Sequence, residues 1–147
     1  MGKSKKSLKA DPISVQVVNK SGIQYIPRQR IISVLEQVFF HENIESIRAG
    51  VIVINDKEIR QMNKKYLNHD YPTDVLAFST NEDPLEVEIY ISVEFAINYS
   101  EEHNTIWRDE VVLYAIHGAL HVIGYKDETE EEKQKMRYLE EKYLKLK

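Results

Sequence analysis

Residues 111–123 constrain the fold more than any other stretch. From Val111 to Ile123 the chain, wound as a helix, is apolar almost all round. Such a helix is stable only when it is buried in the middle of a domain, so the other elements must wrap it. Two histidines interrupt the apolar run, His117 and His121. Positions i and i+4 share one helix face, with Cβ atoms about 5–6 Å apart. Two imidazoles so placed can turn toward a single ion. Gly124 follows where the helix would end and the chain turn back. Asp127, six residues after His121, offers a carboxylate able to complete a three-ligand site. Spacing alone leaves two readings open: the histidines are ligands or satisfied core histidines, and Asp127 is a ligand or a turn residue ahead of Thr129.

The rest of the chain reads as the support of that helix. Ile13 to Val18 alternate with period two and predict a strand. Asn19 to Gly22 is a turn signal, and Pro27 can open a helix at its first position. Ile31, Leu35, Val38 and Phe39 carry that helix to about His41. Val51 to Ile54 is a β-branched run suited to a strand covered on both faces, with a start near Ser46. Asn55 or Asp56 can cap the next helix, whose stripe is Ile59, Met62 and Tyr66. Asn68 to Pro72 breaks it. Asp74 to Phe78 reads as a short strand, Asn81 to Pro84 as a turn, and Glu86 to Ile91 as a strand. Ser92 can cap a short helix, Thr105 the histidine helix, and Thr129 with Glu132 forms a capping box for a last helix through Met136, Leu139 and Tyr143. The order β-α-β-α-β-β-α-α-α predicts an α+β fold with helices on a small mixed sheet of about four strands. A chain of 147 residues fits a single domain over 1–147, with residues 1–10 a basic tail.

Composition narrows the chemistry. Cysteine is absent, which excludes disulfides, thiolate metal sites and a cysteine nucleophile, so a metal would rest on His, Asp or Glu. No apolar run reaches the roughly 18 residues of a membrane span, and no apolar segment follows the basic N-terminus as a secretory signal requires. The net charge of −4 argues against a free-standing nucleic-acid binder, although Lys57, Arg60, Lys64 and Lys65 gather positive charge on one predicted helix. That group reads equally as a solvated helix face. His41, His69 and His103 lie in polar surroundings and read as surface residues.

Two imidazoles and a carboxylate suit zinc and its neighbours, and three protein ligands leave a position open, as in catalytic rather than structural sites. Position 118 is Gly, so the glutamate of His-Glu-x-x-His peptidases is missing. A peptidase would need a carboxylate from elsewhere, such as Glu110 two turns before His117.

At 117–127 the sequence resembles the YbeY-type rRNA maturation factors, whose signature runs His-Gly-x-Leu-His-x-x-Gly-Tyr-Asp-His. His117, Gly118, Leu120, His121, Gly124 and Tyr125 match it. Asn55 to Tyr66 with Pro72 to Phe78 resembles a second block of the family, and Glu88 to Ser92 a third. The resemblance covers residues from about 13 to the end. It implies a cytoplasmic, single-strand-specific, metal-dependent endoribonuclease. Such a protein acts in small-subunit rRNA 3′-end processing and ribosome quality control, with ribosomal RNA, the ribosome or small-subunit proteins as partners and neither DNA nor a membrane. It further implies one divalent ion, zinc being the expected one, held by His117, His121 and Asp127, and hydrolysis of a phosphodiester by water that the ion activates. Two departures stand out. Asp127 replaces the signature's third histidine, after Lys126 in place of Asp. Leu67 stands where the family carries an arginine suited to phosphate. Lys64, Lys65 or His69 could compensate for its absence, and Lys64 and Lys65 are the candidates to contact RNA. A ribosome-assembly factor with a structural metal is the non-enzymatic alternative.

Overall fold

The computed structural model describes residues 12–70 and 73–146. Its elements are β1 (Ile13–Asn19), α1 (Arg28–His41), β2 (Ile47–Ile54), α2 (Asp56–Leu67), β3 (Val75–Glu82), β4 (Leu85–Ser92), α3 (Val93–His103), α4 (Trp107–Val122) and α5 (Glu130–Leu144). This is the predicted order, in an α+β fold. The expected basic tail lies outside the described residues.

The four strands form one mixed sheet in the order β1-β2-β4-β3. β1 and β4 both pair with β2 in parallel, and β3 returns antiparallel to β4. The β-branched run of β2 is thus interior to the sheet, as its composition requires. Its side chains alternate between two apolar clusters. Val51 and Val53 face the larger, with Ile89 and Ile91 of β4 and the helices α1, α4 and α5. Ile54 faces the smaller, with Ile59 of α2, Leu76, Phe78 and Tyr90. The sheet therefore separates α2 from α4.

Most helix starts obey local capping chemistry. Asn55 accepts from the Glu58 N–H at 2.9 Å and Ser92 from the Phe95 N–H at 3.2 Å. Thr129 and Glu132 form the reciprocal capping box ahead of α5. Three local expectations are corrected. Thr105 does not cap α4: its N–H closes α3 onto the Ser100 carbonyl, and Ile106 takes the cap position without a side-chain bond. Pro27 sits at the cap of α1 rather than inside its first turn. The turn expected over Asn81 to Pro84 is tighter, because Asn81 and Glu82 still pair with Glu86 and Leu85 after an irregularity at Ser79.

Helix α4 is the buried centre. Val111, Val112, Ala115, Ile116, Ala119 and Leu120 are all inaccessible to solvent. Gly118 explains how closely α4 can lie on the sheet. A Cβ there would stand 2.7 Å from Cγ2 of Ile89 and 3.2 Å from Cγ2 of Val75. The space a side chain would need is filled by β4 and β3, so the residue between the histidines serves packing.

Candidate metal centre

The end of α4 decides where the third candidate ligand falls. Ile123 closes the helix, and Gly124 adopts φ +115°, a left-handed backbone that favours glycine. The Gly124 N–H donates to the His121 carbonyl at 3.0 Å and the Tyr125 N–H to the Leu120 carbonyl at 3.0 Å. These are the two bonds of a Schellman motif. The chain turns back sharply, and Asp127 returns beside the helix it has just left.

The three side chains converge. Nε2 of His121 lies 3.0 Å from Nε2 of His117. Oδ2 of Asp127 lies 3.3 Å from the first histidine's Nε2 and 3.4 Å from the second's. Of the histidine and acidic groups among the described residues, this is the set placed to hold a metal ion.

The opposite ring nitrogens fix the tautomers. Nδ1 of His117 lies 2.5 Å from a carboxylate oxygen of Glu140 on α5. Nδ1 of His121 lies 3.0 Å from the Tyr125 carbonyl. Both partners are acceptors, so each Nδ1 carries the proton and each Nε2 presents a lone pair to the centre. Two lone pairs and a carboxylate oxygen within 3.4 Å repel unless positive charge lies between them. A tetrahedral ion with bonds of about 2.0–2.1 Å holds its ligand atoms about 3.3 Å apart, which matches the observed triangle. The donor set fits a divalent ion.

Without an ion, a proton is the available positive charge. Burial opposes the His117 cation. The hydrogen bond and charge of Glu140, with the charges of Asp127 and Asp74, outweigh that penalty and raise its pKa above the ordinary 6.5.

Partners from distant parts of the chain hold this arrangement. Glu42, at the end of α1, accepts from the Tyr125 hydroxyl at 2.6 Å and from the Tyr143 hydroxyl of α5. It thereby anchors the residue whose carbonyl orients His121. Glu140 and Glu42 were not found by sequence reasoning. For Glu140 a signal existed: residues 136, 139, 140 and 143 recur at helical spacing, so a glutamate falls within the apolar stripe of α5. Glu42 carried none.

Lys64 and Lys65 are not brought to the histidines. They stand on α2, across the sheet from α4. Lys64 lies 4.0 Å from the Asp70 carboxylate, which also receives the Arg60 guanidinium at 2.8 Å, and Lys65 lies over the Tyr66 ring. Leu67 ends α2 about half exposed. His41, His69 and His103 are exposed, as expected. No helix among the described residues is long and apolar enough to cross a membrane.

The family model described as Endoribonuclease YbeY matches residues 9–146. Among relatives bearing that name, the one from Chloroherpeton thalassium is 31% identical over 129 residues, 87% of this chain and 92% of its own length. The Cytophaga hutchinsonii protein is 35% identical over 132 residues, covering 86% and 92%. The Rhodopirellula baltica protein is 41% identical over 102 residues, covering 67% and 53%. The solution structure of TM1509 from Thermotoga maritima shares the fold, with a TM-score of 0.62 at 24% identity over 88% of this chain and 86% of that one. The chain belongs to the YbeY family.

Proposed function

We propose that this protein is a metal-dependent endoribonuclease that cuts single-stranded ribosomal RNA during small-subunit maturation. It works in the cytoplasm on or near the ribosome, as one domain over residues 1–147. One zinc ion is held by His117, His121 and Asp127. The observation that carries this reading is the triangle of two Nε2 atoms and one Oδ2 at 3.0, 3.3 and 3.4 Å. The endoribonuclease names of the relatives support the reaction class.

When bound, the ion supplies Lewis acidity, acidifying a water and polarising a phosphoryl oxygen. The chain's own residues set how strongly. Glu140 and the Tyr125 carbonyl hold both imidazoles as Nε2 ligands and increase their basicity. Asp127 in place of a third neutral imidazole adds one negative charge, leaving a net charge of about +1 on a divalent centre. The centre therefore attracts phosphate less strongly than a three-histidine site. Gly118 lies against the sheet, so no carboxylate next to the first ligand is available as in the His-Glu-x-x-His peptidases, which favours the nuclease over that alternative.

The test is metal content after purification without chelator or histidine tag, alongside cleavage of a single-stranded rRNA fragment. About one zinc per chain, lost in His121→Ala and Asp127→Ala together with cleavage, is expected. Failure to take up metal on titration overturns the reading. The absence of the family arginine at Leu67 favours one second reading, an assembly factor with a structural metal. It predicts full metal content and thermal stabilisation by the ion without cleavage.

A further inference from the structure

Glu110, Tyr114 and His117 stand at i, i+4 and i+7 on α4, along one helix face. All three line a cleft of about 270 Å³, with Asp74, Phe95 and Tyr99. That size is just below the range of small-molecule pockets, which begins at about 300 Å³, and suits one planar ring system. Tyr114 is only 6% exposed and lines the cleft beside Glu110. Burial, with Asp74 and Glu110 close by, pushes its pKa well up, so it keeps its proton and remains a donor. The walls are aromatic: Phe95 meets Tyr114 edge to face at 6.3 Å, and Tyr99 stacks on His103 at 3.9 Å.

The lining excludes two ligand classes. It contains no lysine or arginine, and its carboxylates repel a phosphate. A second cation is a poor match for a protonated phenol and aromatic walls. What fits is a flat, uncharged ring with donors for a carboxylate and an acceptor for a hydroxyl. Single-stranded RNA offers this when a base is splayed out, stacked on aromatic side chains and read on its Watson–Crick edge. Guanine places N1–H and N2–H side by side, next to the O6 acceptor. Uracil presents one N–H between two carbonyls that a carboxylate repels.

We propose that this cleft is a nucleobase subsite beside the metal centre: Glu110 accepts the two adjacent N–H groups of a guanine, and Tyr114 donates to its O6. The role of this subsite in cleavage rests on the nuclease reading above. It places a guanosine next to the scissile phosphate and makes the enzyme selective among single-stranded sequences.

The test combines binding of free guanosine, adenosine and uridine to the intact protein, followed by NMR, with cleavage of uridine oligomers carrying one guanosine. Guanosine is expected to bind about tenfold more tightly than uridine, with cuts next to the guanosine. Glu110→Gln presents one acceptor and one donor, and should lower guanosine affinity about tenfold while bringing adenosine level with it. Tyr114→Phe should weaken guanosine severalfold and leave adenosine, which has no O6, unchanged. Metal content should hold in both variants. Equal affinity for the three nucleosides overturns the subsite, as does a cleft that responds to Mg²⁺ without telling bases apart. Cleavage without base preference overturns the subsite and leaves the nuclease standing. Guanosine binding by a protein that cuts no RNA does the reverse.

Discussion

Glu140→Gln isolates the contribution of one charge to the metal centre. The Glu140 side chain is 15% exposed, and its carboxylate lies 2.5 Å from Nδ1 of His117. Glutamine keeps the volume, and its amide oxygen can still accept, so the tautomer survives and only the negative charge is lost. Removing such an outer partner typically costs 10- to 100-fold in metal affinity, about 1.4–2.7 kcal/mol. The proton responds in the same direction, because it competes for the same Nε2. Burial disfavours the His117 cation, but Glu140 and the charges of Asp127 and Asp74 raise its pKa above 6.5. Wild-type affinity should therefore fall with acidity from a higher pH than an ordinary histidine would give. The variant binds both metal and proton less well. Its deficit should be largest above the His117 titration and shrink below it. Competition titrations against a chelator from about pH 6 to 8.5 measure this directly. Unchanged affinity at the alkaline end, or a deficit that does not shrink on acidification, would refute the reasoning.

Three further outcomes are expected. In the metal-free protein the raised His117 pKa contributes stability that is fully present below 6.5 and lost as pH rises through the folded-state value; thermal midpoints after chelation should fall over that window, and the fall should vanish in His117→Gln. Gly118→Ala sets overpacking of about 1–3 kcal/mol against a helix-propensity gain of about 1 kcal/mol. A net loss of about 1 kcal/mol and a midpoint lower by a few degrees should appear in thermal melts. Glu42→Gln turns an amide N–H₂ toward one of two tyrosine hydroxyls; denaturant unfolding should show a loss of about 1–3 kcal/mol, and chelator competition a smaller drop in metal affinity than Glu140→Gln produces.

What was legible in the sequence is what local rules determine. The all-round apolar character of α4 predicted its burial, the β-branched run of Val51 to Ile54 predicted β2, and period two, helical spacing and capping residues predicted the others. The three candidate ligands were legible because they lie within eleven residues, and their convergence depends on two local devices, the i, i+4 spacing and the left-handed turn at Gly124. What local rules leave undetermined depends on tertiary placement. The basic face of α2 is visible as a helix face, but only the sheet's two apolar clusters reveal that it lies across the sheet from the histidines. Thr105 was misplaced because α3 and α4 compete for the same short connection, and the Ser100 carbonyl takes its N–H.

The same division separates ligation from chemistry. Local geometry brings Nε2, Nε2 and Oδ2 together, while the proton positions that would let the imidazoles act as ligands come from Glu140 on α5 and from the Tyr125 backbone that Glu42 secures from α1. Both remote partners are carboxylates. With Asp127, and with Asp74 and Glu110 lining the neighbouring cleft, they surround the centre with negative charge that no lysine or arginine of the lining offsets. A phosphodiester would be repelled by this surface in the absence of an ion. On the proposed reading the ion would serve both the reaction and the approach of the strand. RNA affinity should therefore fall with metal removal in parallel with activity, whereas in a nuclease with a basic groove binding would outlast catalysis.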